Sequence, residues 1–331
     1  MATAPCIAVA VSGGADSLYA LARLSQQAPR VIALHGLFLP QEAPEPPVAA
    51  LHKACTLLGL SLHVVDLRAT FDAAVVQPFL QAYLAGHTPN PCAHCNVHIK
   101  FGALWEAART LGADTLATGH YAALEQHPLY GYTLRQGQDS RKDQSYFLSL
   151  VPMERLRCAL FPLADQHKPE ALAYVHGLGL RVPVPKESQD ICFVPQNLQD
   201  GYRTFVDSQA RQRGLRLGSG GPMCLPDGRT VGQHKGLWQY TQGQRRGLGV
   251  AYAEALYVIG KDISTNTLQL GTQKDSSVQD CHTEPANFLV AAELWPPQVY
   301  VRVRYRQANA PASVHIQTNG SLHIHFMAAQ Q

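Results

Sequence analysis

Two groups of residues have the types and spacing to do chemistry. The first is Ser12-Gly13-Gly14-Ala15-Asp16-Ser17. Its paired glycines let the backbone turn tightly and bring N–H groups close to an anion. Ser12 and Ser17 add hydroxyl donors, and a helix starting here adds the partial positive charge of its N-terminus. This is not a Walker loop, because no Gly-Lys-Ser/Thr follows. A loop without that lysine fits one that holds a β,γ-pyrophosphate while chemistry occurs at the α-phosphate. The plainer reading is an ordinary turn with Asp16 as helix cap. The second group is Thr88-Pro89-Asn90-Pro91-Cys92-Ala93-His94-Cys95-Asn96. Two prolines fix its approach, and Cys95 is expected just ahead of a helix, where the N-terminal field lowers a thiol pKa. Lys100 adds positive charge nearby. A Cys-x-x-Cys pair is a redox dithiol, half of a metal site, or chance spacing. No second such pair exists, which argues against a four-cysteine zinc site. A zinc set of Cys92 and Cys95 with His87 or His98 stays open. Cys192, far downstream in 188–195, reads by itself as a buried structural cysteine.

The elements that must position these residues follow from hydrophobic patterning. Residues 6–11 form a short apolar run ahead of the glycines, read as a buried parallel strand. Helical spacing follows over 16–27. A second strand is expected at 31–38, a proline-rich loop at 40–47, a helix at 48–58 and a third strand at 62–65. An amphipathic helix is expected over 71–84, a Pro/Cys/Asn loop over 87–96, a helix over 99–111 and a fourth strand at 115–118. Strands alternating with helices predict a doubly wound parallel sheet. After about Pro195 the texture changes. Residues 196–217 are partly helical, and short alternating stretches such as 256–259, 267–270, 300–305 and 323–326 predict small β domains.

Composition bounds the answer. The chain has 331 residues, of which 46% are hydrophobic, enough for two or three packed domains and too many for a disordered chain. No apolar run reaches the roughly 18 residues of a membrane span. Residues 1–22 hold no Lys or Arg, so the basic start of a secretory signal is missing and a cytoplasmic protein is expected. In that compartment the eight cysteines are reduced, catalytic or metal-binding rather than a disulfide framework. The formal charge is only +3, from 27 Lys and Arg against 24 Asp and Glu, but the sum hides a distribution. Between 203 and 250 there are eight basic residues against two acidic ones, and no acid follows Glu293. Arg302, Arg304 and Arg306 alternate, which on a strand puts all three on one face. Such a face suits a phosphate backbone. Trp238 and Tyr240 either stack on unpaired bases or belong to the core.

Several further segments make the pattern specific. Ser-Gly-Gly-Ala-Asp-Ser resembles the PP-loop of the ATP pyrophosphatase superfamily. Residues 88–96, Ala117-Thr118-Gly119-His120-Tyr121-Ala122, Lys142-Asp143-Gln144-Ser145-Tyr146-Phe147-Leu148 and Asp190-Ile191-Cys192-Phe193 resemble, in order, the signature set of the bacterial tRNA-uridine 2-sulfurtransferases. Residues 232–237, 241–249 and Val303-Arg304-Tyr305-Arg306 extend the likeness over nearly the whole chain. The resemblance implies ATP-dependent 2-thiolation of the wobble uridine of tRNA through an adenylated O2. Cys192 would carry the persulfide and Cys95 would be the nucleophile that discharges it, with a transient disulfide between them. ATP would lie on Ser12, Gly13, Gly14, Asp16 and Ser17, against Leu37 and Phe38 at the end of strand two, and against Gly119, with Mg²⁺ as counter-ion. From the residues alone, Leu37 and Phe38 are core. Contacts to tRNA fall to His120, Lys142, Gln144, Arg245, Arg246, Arg302, Arg304, Tyr305 and Arg306. From the residues alone, His120 is a surface-loop histidine, and 142–144 opens a helix. At Cys92 the chain departs from the family, many members of which carry Asp, and a thiol differs from it in pKa and reach. Cys92, Cys95 and Cys192 are thereby a candidate set for a 4Fe–4S cluster, a mechanistic rival to the persulfide. A cysteine desulfurase or sulfur-relay protein would donate the sulfur. The expected layout is a PP-loop domain (1–195), a central tRNA-binding domain (196–272) and a C-terminal β-barrel (273–331). Other PP-loop enzymes, such as 2-thiocytidine synthetases and amidotransferases, would lack the segment around Cys192 and the β domains. A non-enzymatic RNA-binding protein would need neither cysteine.

Overall fold

The computed structural model describes residues 4–39, 47–184, 191–194 and 201–330. Most of the proline-rich loop at 40–47, residues 188–190 and Pro195 lie outside them. The apolar run becomes β1 (Cys6–Ala10), and the helix Ala15–Gln27 follows the glycines. Next come β2 (Arg30–Leu37), the helix Val48–Leu57, β3 (Leu62–Asp66) and, after a long helical stretch, β4 (Thr115–Ala117). A hairpin of β5 (Ala122–His127) and β6 (Gly131–Gln136) precedes the short β7 (Ala159–Leu160) and the helix Lys168–Gly177.

Five of these strands form one parallel sheet in the order β3-β2-β1-β4-β7. The fold is the doubly wound α/β class that the alternation predicts. Strand order reverses between β1 and β4, and open α/β sheets bind ligands beyond the carboxyl ends of their strands at such a point. The glycine loop leaves β1 there, and Gly119-His120 leaves β4 beside it. Val9, Val11, Leu18, Leu21, Ala33, Leu51 and Leu163 are buried together behind the loop. Each large side chain so buried contributes about 1.5–3 kcal/mol, so the loop stands on a rigid base.

Two helical expectations change. The helix expected at 71–84 is interrupted: Arg68–Phe71, a wide π-helical turn over Asp72–Val76, then Gln77–Leu84. The helix expected at 99–111 begins at Pro91 instead. Proline suits a first helical turn, where its missing N–H is not needed and its φ is already helical. The helix then widens into π-helical geometry over Cys95–Leu104 and bends at Gly102 (φ −109°, ψ −108°) before Trp105–Thr110. A Cβ at Gly102 would lie 2.9 Å from Val97 O, so the bend requires glycine.

The chain divides into two compact units, Met1–Val76 with Pro91–Ile191 and Asn287–Trp295, and Gln77–Asn90 with Cys192–Ala286 and Pro296–Gln331. In the second unit the helix Gly201–Gln212 precedes β8 (Gly221–Cys224), β9 (Thr230–His234), β10 (Tyr257–Asp262) and β11 (Thr267–Gly271). These pair in the order β10-β11-β8-β9. Met223, Leu237, Tyr240, Val258, Leu268 and Leu270 fill their core, and Trp238 is buried too. Trp238 and Tyr240 are therefore core aromatics, not exposed stacking platforms. An antiparallel sheet closes the chain, with β12 (Val278–Pro285), β13 (Val299–Val301), β14 (Ala310–Ile316) and β15 (Ser321–Gln330) in the order β12-β15-β14-β13. Its strands suit the expected barrel domain.

The strand expected over 300–305 stops at Val301. Beyond it the chain turns, with Gln307 N donating to Arg304 O at 3.1 Å and Val303 N to Gln307 Oε1 at 3.3 Å. Arg302, Arg304 and Arg306 thus lie past the strand end and do not share a strand face. Alternation alone could not register that the Gln307 side chain takes the backbone donor a ladder would have used.

Candidate active site

Gly13 adopts φ +91°, and a Cβ there would meet Pro47 Cγ at 3.0 Å and Val184 Cγ2 at 3.2 Å, so the loop needs glycine on both counts. Gly14, extended, is the residue before the helix. The serines are ordered by each other: Ser12 N donates to Ser17 Oγ at 3.2 Å, and Ser17 Oγ donates to Gly14 O at 2.9 Å. Asp16 is not the helix cap. It sits in the first turn, where Lys168 Nζ lies 2.7 and 2.8 Å from its two oxygens and the Tyr121 hydroxyl donates to Oδ1 at 2.9 Å. Gly119 packs against this turn so closely that a Cβ would sit 2.9 Å from Ser17 N. Leu37 and Phe38 are half-buried rather than core, and the Phe38 ring stacks on Phe71 at 5.6 Å.

His120 is buried, not on the surface, at 6% exposure. Its Nε2 lies 3.1 Å from Lys100 Nζ and its Nδ1 lies 2.7 Å from Thr118 Oγ1. An ammonium only donates, so Nε2 accepts and Nδ1 carries the proton given to Thr118. Burial holds this imidazole well below its ordinary pKa of 6.5, and Lys100 adds to the effect. The ring is therefore neutral.

Cys92 and Cys95 are one turn apart on the helix that starts at Pro91. Cys95 thus lies inside a helix, not ahead of one, and is 9% exposed. This reverses the expected pKa. Burial pushes the Cys95 thiol up, Lys100 pulls it down and the Cys92 thiol adds to the rise. Burial likewise raises Cys92 against the pull of Lys100. The helix field fades within the first turn and does not offset desolvation. In a π-helical stretch residues five apart share a face, which explains why Lys100 acts on Cys95.

Backbone and amide bonds tie the thiol helix to the loop. Asn96 Nδ2 donates to Phe147 O at 2.8 Å, and Phe147 N donates to Gln144 O at 3.0 Å. Gln144 clasps Tyr121, with Tyr121 N donating to Gln144 Oε1 at 3.2 Å and Gln144 N donating to Tyr121 O at 3.0 Å. Tyr121 then reaches Asp16. Asp143 is buried at 3% exposure and accepts from Ser145 N, Ser145 Oγ and Gln136 Nε2. Lys142 is half-buried, and 142–144 leads only into a short 3-10 turn, Ser145–Leu148. Asn96 Oδ1 is the one buried side-chain oxygen or nitrogen among the described residues that lacks a hydrogen-bond partner.

In the second unit Cys192 is exposed, against its reading as a buried cysteine. The neighbouring Phe193 ring is anchored 5.1 Å from Phe79 and 5.2 Å from Phe205. Arg245 and Arg246 are exposed after a turn in which Gln244 Oε1 accepts from Thr241 N at 3.0 Å. Arg304 Nη2 donates to Gln242 O at 3.1 Å and packs on Gly243. Arg302 and Tyr305 are half-buried and Arg306 is exposed. Among the described residues no group of three or more His, Cys, Asp or Glu is gathered to hold a metal ion. Nor is any helix of the described residues long and apolar enough to cross a membrane.

Lys168, Asp139 and Tyr121 acquire parts in this site that the motifs alone did not assign. Lys168 follows Asp16 by 152 residues, and no local pattern marks the pair.

The family model described as "tRNA methyl transferase HUP domain" matches residues 6–196, and that described as "tRNA methyl transferase PRC-barrel domain" matches residues 212–272. The chain is 49% identical over 330 residues to the tRNA-specific 2-thiouridylase of Lawsonia intracellularis, covering 98% of this chain and 92% of that protein. It is 49% identical over 319 residues to that of Nitratidesulfovibrio vulgaris, covering 95% and 89%. It is 38% identical over 326 residues to that of Syntrophotalea carbinolica, covering 97% and 90%. On both counts, the family models and near-full-length identity, the chain belongs to the family of the tRNA-specific 2-thiouridylases.

Proposed function

We propose that this protein replaces O2 of the wobble uridine of tRNA with sulfur, using ATP at the glycine loop and thiol chemistry at Cys95 and Cys192. The supporting observation is the continuous set of contacts, within one unit, from the loop through Asp16, Tyr121, Gln144 and Phe147 to Asn96 beside Cys95. It joins a phosphate-type loop to a thiol helix, which are the two parts an adenylate-dependent thiolation needs. Methyl transfer, which the family model's description names, calls on neither.

The chemistry is balanced as follows. A pyrimidine carbonyl is a poor electrophile and its oxygen a poor leaving group. Transfer of AMP to O2 corrects both faults and releases diphosphate. The outer sulfur of a Cys192 persulfide attacks C2 and AMP leaves, so that C2 is joined to Cys192 through a disulfide. The Cys95 thiolate attacks Cys192 Sγ. The bond to the outer sulfur breaks, its electron pair stays on the sulfur at C2, and 2-thiouridine departs. A Cys95–Cys192 disulfide remains, which an external dithiol reduces. The target base must be extruded to expose C2. A cysteine desulfurase or relay protein supplies the persulfide sulfur.

Lys100 is the group that would favour the Cys95 thiolate. Asp16, the loop's own carboxylate, would help to hold Mg²⁺, which would supply charge neutralisation of the diphosphate. A 4Fe–4S cluster on Cys92, Cys95 and Cys192 is the mechanistic rival, which iron and acid-labile sulfide measured on anaerobically prepared protein would separate from the persulfide route, and no step here runs through one. Arg245, Arg246, Arg302 and Arg306 are offered as phosphate contacts, and the layout 1–195, 196–272 and 273–331 as the working division of labour.

The test is thiolation of unmodified tRNA with ATP, Mg²⁺ and a persulfide donor. Cys95→Ala and Cys192→Ala should abolish 2-thiouridine while leaving ATP binding intact. Full activity of Cys192→Ala would overturn the reading.

A further inference from the structure

The glycine loop carries no cation of its own, yet the fold delivers one. We propose that Lys168 is a phosphate-binding residue for ATP, parked on Asp16 until the triphosphate arrives. This rests on the reading of the loop as an ATP site. The helix Lys168–Gly177 lies against the helix Ala15–Gln27, with Tyr174 and Tyr19 edge to face at 5.2 Å. Lys168 opens that helix, and its N–H donates to Asp139 Oδ2 at 3.2 Å, a carboxylate only 3% exposed. The backbone is thereby fixed while the four-carbon stem can swing. The Nζ end bridges both oxygens of Asp16 at 2.7 and 2.8 Å, with side chains 17% and 27% exposed.

An aspartate facing a polyphosphate would repel it. Lys168 cancels that charge, and its ammonium is the cation already at the loop when the phosphates bind. Asp16 does not lose all support when the ammonium moves, because the Tyr121 hydroxyl still donates to it. Lysine suits this duty better than arginine, being a compact point charge on a flexible stem. The competing account is that Lys168 only clamps two helices together.

The two accounts separate on which nucleotide suffers. Equilibrium binding of ATP and of AMP to the full chain would be measured for wild type, Lys168→Gln and Lys168→Arg, with melting temperatures alongside. A charged hydrogen bond to phosphate predicts about a 10- to 100-fold weaker ATP affinity for Lys168→Gln, with AMP changed less than about twofold. Lys168→Arg keeps the charge and the clamp, so it should recover most of the ATP affinity. Equal weakening of ATP and AMP, or no change in either, would overturn the inference while the ATP reading stands. Absence of ATP binding by the wild type would overturn both. Should Lys168→Gln fail to fold, Lys168→Met, which keeps the aliphatic stem without the charge, decides: a phosphate ligand predicts the same selective loss of ATP affinity, whereas a pure clamp predicts an ATP-to-AMP ratio equal to wild type.

Discussion

At the residue scale, environment decides what identity leaves open. Cys92, Cys95 and Cys192 are chemically the same group, but burial raises the first two while the third is exposed. Because the thiolate is the reactive form, alkylation by iodoacetamide at pH 7 should label Cys192 before Cys92 and Cys95, as read by peptide mass spectrometry. Faster labelling of Cys95 than of Cys192 would contradict the burial argument. His120 supplies a pH prediction. Its folded pKa lies well below the ordinary 6.5, so the unfolded chain takes up the proton first. The stability it contributes is complete above pH 6.5 and is lost as pH falls from there toward the folded value. Melting temperature should drop across that acid window, and His120→Gln should flatten the drop. The motif placed His120 at the end of β4 correctly. Its neutrality depends on Phe101, Phe161 and Lys100 around it, which only the fold brings together.

At the scale of elements, four strands of the parallel sheet were legible because they are mainly apolar runs bounded by glycine and proline, whereas the two-residue β7 (Ala159–Leu160) is too short to leave a pattern. The loop after β1 was legible for the same reason. The helix at Pro91 was not, because two prolines and two asparagines read as loop until the first of the helical residues turns out to be Pro91 itself. The strand over 300–305 was misread because its Val/Tyr/Arg alternation matches a strand period, whereas Arg304 and Gln307 spend their hydrogen bonds on a turn. Gly119 approaches the first turn of the helix after the loop closely. Gly119→Ala would bring its Cβ within 3.0 Å of backbone at both Asp16 and Ser17, atoms that cannot rotate away. Overpacking of this kind costs about 1–3 kcal/mol. The variant should melt lower and bind ATP more weakly, because relief requires the two loops at the switch point to separate. An unchanged ATP affinity with an unchanged melting temperature would mean that the loops tolerate the methyl.

For the whole molecule, a formal charge of +3 on 331 residues is a poor guide to its partner, since the basic residues concentrate where acids are scarce. Affinity for a polyanion follows local contacts through counterion release, and each phosphate neutralised adds about 0.7–0.9 to the slope of log affinity against log salt. The five arginines expected at tRNA are not equivalent in the structure. Arg245, Arg246 and Arg306 are exposed, whereas Arg304 already holds the Gln242 carbonyl and Gly243. Arg245→Ala, Arg246→Ala and Arg306→Ala should therefore each weaken tRNA binding and lower the salt slope by about one, with the melting temperature unchanged. Arg304→Ala should lower the melting temperature, because the 241–244 turn loses a partner, and should weaken tRNA binding with a smaller change in slope. Filter binding of unmodified tRNA between low and moderate salt, beside thermal melts, separates the two behaviours. If Arg304→Ala changes only the slope, its bond to Gln242 is incidental and the guanidinium belongs with the other phosphate contacts.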